Sequence, residues 1–124
     1  MKKSFCFGIL LLAILSFLFG SALANKSAVS IEGPSGVAKG TEVTLRITVT
    51  HNANSPSHYT ERVKVTANKK EIGRWDYTKD NRPEASEFTQ EIKFKVMEDT
   101  EVVAEASCNN HGSRGPAMHK ITVK

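Results

Sequence analysis

The sequence predicts an all-β domain, an immunoglobulin-like antiparallel sandwich of about seven strands, preceded by an N-terminal segment that lies outside it. Three observations carry this reading. Apolar residues recur with period two, as in half-buried strands. β-Branched residues dominate those runs. Stretches rich in Gly, Pro, Asn and Ser separate them at short intervals, and no window carries a helical stripe.

Lys2 and Lys3 open the chain, Phe5 to Phe19 is almost wholly apolar, and Ala22-Leu23-Ala24 closes the run with an Ala-x-Ala pattern. That order reads as a secretory signal peptide over residues 1–24. The apolar run is shorter than the ~20 residues that cross a bilayer. The expectation is an exported, periplasmic domain over residues 25–124 with no membrane attachment after cleavage. Cys6 lies too early to be lipidated at the cleavage site. Loss of Lys2 and Lys3 from 17 Lys+Arg leaves 15 against 13 Asp+Glu, a dispersed net charge of +2. So mild a balance gives no reason to expect nucleic acid as a partner.

Within the domain, Val43, Leu45, Ile47 and Val49 alternate with Thr44, Arg46, Thr48 and Thr50. Val63 and Val65 form the next run, and a strand is expected over Glu71–Tyr77. Ile92, Phe94 and Val96, then Val102, Ala104 and Ala106, then Ile121 and Val123 complete the pattern. If successive strands alternate in direction, His51, His58, Cys108, His111 and His119 all fall at one end of the sandwich. His51 and Cys108 continue core-facing rows just as they reach the rim, and His119 shares the parity of Ile121 and Val123.

Those residue types suit a metal. Cys108 is the lone cysteine of residues 25–124 and has no internal disulfide partner; outside the cytoplasm it is open to oxidation unless something occupies it. Imidazole is a good ligand for iron, copper and zinc, and thiolate adds a soft, electron-donating one. Cys108-x-x-His111 is followed by Gly112, which permits the backbone angles of a tight loop. A polar loop containing Pro56 separates His51 from His58, so one rim can present both.

Two segments together resemble the superoxide reductase family, that is, neelaredoxin and the iron-binding domain of desulfoferrodoxin. They are His51-Asn-Ala-Asn-Ser-Pro-Ser-His58-Tyr59 and Ala106-Ser-Cys108-Asn109-Asn110-His111-Gly112. The resemblance covers roughly Val43 to Gly112. It implies the same sandwich fold and a mononuclear non-haem iron ringed by four histidines, with an axial cysteine thiolate. His51, His58 and His111 would be equatorial ligands and Cys108 the axial, catalytic thiolate. Superoxide would be the substrate and hydrogen peroxide the product, and the absence of any four-cysteine centre implies electrons from a separate donor protein.

The sequence departs from the family pattern in three ways. It has no histidine before His51, where the family's first follows a Glu-Lys pair; the counterpart region is read as Ile31-Glu32-Gly33-Pro34, so that the acid and lysine are missing too. Six residues rather than five separate His51 from His58, and the chain continues past Gly112 by a full strand. His119 is therefore expected to supply the fourth nitrogen, and Lys79 or Arg82 the positive charge that attracts an anion. A rival reading takes Cys108, His111 and Met118, with His51 or His58, as a cupredoxin-like copper site for electron transfer. A third is a metal-binding sandwich without efficient turnover, in which Trp75, Asp76 and Tyr77 offer a contact surface.

Overall fold

The computed structural model describes residues 26–52 and 54–124. The expected signal peptide, Cys6 and the start of the mature chain at Asn25 lie outside the described residues. Eight strands follow in order: β1 Ala28–Glu32, β2 Gly36–Val37, β3 Thr41–Thr50, β4 Thr60–Ala67, β5 Lys70–Asp76, β6 Glu87–Val96, β7 Thr100–Cys108 and β8 Ala117–Val123. They form a three-stranded sheet, β1-β3-β6, and a five-stranded sheet, β2-β8-β7-β4-β5. The expected all-β sandwich is what the chain adopts.

Alternation builds the core. Val43, Leu45, Ile47 and Val49 of the first sheet face Val63, Val65, Val102, Ala104, Ala106 and Ile121 of the second, all buried. Taking such side chains out of water is the main drive to fold, about 1.5–3 kcal/mol for each large aliphatic one. Val29 and Ile31 of β1 pack against this cluster with the same period of two. Trp75 and Tyr77 also pack against it, and Tyr77 meets Phe88 edge to face at 5.9 Å, so both are packing residues more than an open contact surface.

Two pairings differ from a plain antiparallel meander. After β1 the chain turns at Gly33 and Pro34 and crosses to the other sheet, where β2 runs parallel to β8 with Gly36 opposite Thr122. β8 is also offset: Ala117 sits opposite Ala104, not opposite Cys108. The connection from Asn109 to Pro116 is spent folding back over the rim before pairing begins, so β8 starts four residues, about 14 Å, down β7 from Cys108.

Direction alternates as expected through the rest. Thr50 at the end of β3 faces Glu87 at the start of β6, and Thr60 at the start of β4 faces Cys108 at the end of β7. One end of the sandwich therefore gathers the loops 51–59, 77–86 and 109–116. Glu61 is the extra residue of a β-bulge opposite Cys108 and Ser107. The bulge shifts parity by one, so that Thr60 turns inward beside Cys108 while Val63 and Val65 remain in the core.

Candidate metal centre

His51 follows directly from β3 and continues its inward row, and it is 2 % exposed. Its N–H donates to the Ser86 carbonyl at 2.8 Å, which ties the 51–59 loop to the 77–86 loop. Its Nδ1 lies 2.9 Å from Asn54 Oδ1. The amide orientation of Asn54 follows from its other bonds. Oδ1 accepts the Thr60 N–H at 3.0 Å, and Nδ2 donates to the Ala85 carbonyl at 2.8 Å. An oxygen facing Nδ1 makes Nδ1 the donor, which leaves the lone pair of a neutral imidazole on Nε2. A polar partner that fixes the tautomer and orientation of a ring is the usual support of a metal-ligating histidine.

His58 is set by a tight turn across Pro56 and Ser57, closed by Ser55 N–H to the His58 carbonyl at 2.8 Å. The opposite loop closes on itself: Cys108 N–H donates to the Gly112 carbonyl at 2.9 Å, and Gly112 N–H to the Cys108 carbonyl at 3.1 Å. Gly112 has a φ of +76° and an added Cβ would meet nothing within 4 Å, so glycine serves this turn by conformation and not by fit. Asn110 N–H points at Cys108 Sγ at 3.4 Å. Asn109 and Asn110 stitch the two loops together. Tyr59 N–H donates to Asn109 Oδ1 at 2.9 Å, Asn109 N–H to the Tyr59 carbonyl at 3.0 Å, and Asn110 Nδ2 to the Ser57 carbonyl at 2.8 Å.

The result is a convergence of donors. Ligand atoms of His51, His58 and Cys108 all lie within 4.8 Å of one another. His58 Nε2 is 3.2 Å from His51 Nε2 and 3.0 Å from His111 Nδ1. Two nitrogens at about 2.1 Å from one ion and at right angles would be about 3.0 Å apart. With the His51 proton on Nδ1, one hydrogen on His58 Nε2 can complete one of the two nitrogen contacts in the neutral cluster but not both. A cation among His51, His58 and Cys108 would accept two imidazole lone pairs and the sulfur, and His111, whose Nδ1 meets His58 Nε2, borders that group. Three imidazoles and a thiolate fit iron, copper or zinc by ligand type.

His119 is not brought to this cluster. It lies on β8 opposite Val102, six residues or about 20 Å along β7 from Cys108, with Nε2 2.9 Å from the Pro34 carbonyl. Its inward parity is as read; its expected position near Cys108 is not, because of the offset of β8. Met118 is 59 % exposed and opposite Val103, which removes it from any copper site built on Cys108. Arg82 folds back so that Nη1 donates to the Lys79 carbonyl within its own loop.

The region read as Ile31 to Pro34 leads away from the centre; Gly33 packs near the His119 ring. The residues of that N-terminal strand that do lie at the metal end are Lys26 and Ser27. Ser27 N–H donates to the Gly112 carbonyl at 3.3 Å, and Arg114 N–H to the Ser27 carbonyl at 2.9 Å. Lys26 and Arg114 line a groove of about 310 Å³ that reaches His51, together with Asn52, Ser86 and Glu87. The signal for them was present: Val29 and Ile31 alternate with Ala28, Ser30 and Glu32, a strand whose first residues had to fall at one end or the other.

No curated protein sequence matches the chain. Among solved structures, it is similar to a superoxide reductase (neelaredoxin) from Ignicoccus hospitalis, at 20% identity over 80% of this chain and 82% of that one, with a TM-score of 0.64. A putative superoxide reductase from Thermotoga maritima matches at 23% identity, 78% and 86% coverage and a TM-score of 0.59. The sulfur carrier protein SoxY from Chlorobium limicola f thiosulfatophilum shares the fold at 8% identity, 89% and 96% coverage and a TM-score of 0.54, so the sandwich alone does not specify a chemistry. The desulfoferrodoxin family matches residues 21–113, a span that contains His51, His58, Cys108 and His111 and ends before His119. With three quarters of its length in that match, the chain belongs to the desulfoferrodoxin family.

Proposed function

We propose that this is an exported, periplasmic, superoxide reductase-like protein that uses mononuclear non-haem iron. The observation that supports it is the convergence of His51, His58 and Cys108, with His111 against His58, at one rim of a desulfoferrodoxin-family sandwich. His51, His58, His111 and Cys108 would hold the iron. When bound, iron supplies one electron to each superoxide, which with two protons leaves as hydrogen peroxide; a separate donor protein returns the electron.

The residues of the chain do the rest. Asn54 holds the buried His51 ring with its Nε2 lone pair toward the centre. The Asn110 N–H, 3.4 Å from Cys108 Sγ, helps to orient the sulfur, and a cysteine thiolate donates electron density to an ion it binds. Lys26 and Arg114 form no ion pair among the described residues and outnumber the one acid of the groove beside His51, Glu87, so the groove is net positive and raises the local concentration of a small anion.

The test is elemental analysis and electron paramagnetic resonance of protein taken from its native compartment, with superoxide consumption measured in the presence of a reductant. Equimolar iron, a high-spin ferric signal and peroxide equimolar with the superoxide removed are the expected results. A copper signal, or iron without catalytic consumption, rejects the reading.

A further inference from the structure

We infer that this chain binds its metal through only three imidazoles and one thiolate, and that Ser27 stands where a fourth protein nitrogen would reach the ion. The inference rests on the metal-centre reading above. The chain has four histidines in all, and His119 is held at the Pro34 carbonyl, about 20 Å along β7 from Cys108. No fourth imidazole is therefore left for the centre.

The position of Ser27 follows from register. Ala28 of β1 is paired with Thr50 of β3, so one further step places Ser27 beside His51. Ser27 shares the inward parity of Val29 and Ile31, and its residue is fully buried. On the other side of His51 is Ser86, an exposed loop residue; across the sandwich are Thr60 and Cys108. Ser27 thus holds the inward strand position that borders His51 and the Cys108–Gly112 loop together. Its hydroxyl is 2.8 Å from Thr60 Oγ1, which is fully buried as well. This hydroxyl pair bridges the two sheets as the last layer of the core. A short side chain already committed to Thr60 supplies no nitrogen on that side of the centre. The centre then has one protein ligand fewer than a five-ligand centre of the same kind, a position that a small anion admitted to the ion would take.

Cobalt(II) loaded on to the protein reads the ligand count without any turnover. Each coordinated imidazole that keeps an N–H shows a hyperfine-shifted, exchangeable proton signal. Three such signals are expected, and His119→Ala should leave all three in place. A fourth signal, or the loss of one in His119→Ala, overturns the inference while leaving the iron reading intact. Failure to bind cobalt at all overturns the metal centre itself. Ser27→His should add a fourth signal and weaken azide binding to the cobalt centre at least tenfold. A folded Ser27→His that changes neither shows that Ser27 does not hold that place. If Ser27→His does not fold, the signal count in the unaltered chain still decides the number of ligands.

Discussion

The two ends of the sandwich solve the same problem in different ways. At the end away from His51, His58 and His111, connections are short and satisfy themselves. Asn68 and Lys69 adopt left-handed φ values of 48° and 71° between β4 and β5. The Asn68 side chain then ties three segments: Oδ1 accepts the Glu101 N–H at 2.9 Å, and Nδ2 donates to the Asp99 carbonyl at 3.0 Å and Glu98 Oε1 at 3.3 Å. At the other end, Asn54 and Asn109 work in the same way, an amide spanning two loops, but what they surround is the cluster of His51, His58, His111 and Cys108. The far end is complete as folded. The near end gathers side chains that could hold a metal.

That contrast can be broken most sharply at His58, whose Nε2 touches both other rings. His58→Ala is expected to reduce metal content to background by elemental analysis while leaving the β-type circular dichroism intact. Loss of the fold instead would make the cluster structural. Asn54→Ala comes next: partners of this kind are worth about 10–100-fold in metal affinity. The variant also leaves the Thr60 N–H and the Ala85 carbonyl unpaired, at about 1–3 kcal/mol each if they stay dry. Asn54→Asp, which keeps the acceptor for His51, should recover most of the metal affinity in a competition titration with a chelator.

Lys26→Ala combined with Arg114→Ala should slow superoxide consumption about tenfold at low ionic strength and flatten its salt dependence, with metal content unchanged. An unaltered salt dependence would mean that the groove plays no part in collecting the anion. The smallest effect on the centre is expected at the opposite end. Asn68→Ala should lower stability by about 1–2 kcal/mol, read as a fall in Tm of roughly 4–16 °C, and leave metal affinity within error. A change in affinity there would show that the two ends are coupled through the core.

Much of this was legible in the residues, and the reason is periodicity. A strand alternates its faces whatever its neighbours do, so Val43 to Val49 and Val102 to Ala106 identified both the core and the inward direction of His51 and Cys108. Hairpin alternation then placed His51, His58, Cys108 and His111 at one rim, because direction needs only a count of strands. Register is different. It depends on which residues pair across a gap, and the connection Asn109 to Pro116 has a length that allows several answers. The parity of His119 was therefore readable, but its distance from Cys108 was not; only the pairing of Ala117 with Ala104 places it beside Pro34. The same holds for β1. Its pairing with β3 brings Lys26 and Ser27 to the metal end, where Ser27 bridges to Ser113 and Lys26 shares a groove with His51, and sends Ile31 to Pro34 away; a one-residue bulge at Glu61 turns Thr60 inward to meet Ser27. Which residues could serve a metal was written along the chain as local chemistry and a period of two. Which of them meet was decided by register between strands far apart in sequence, where packing of the two sheets and not local pattern selects the pairing.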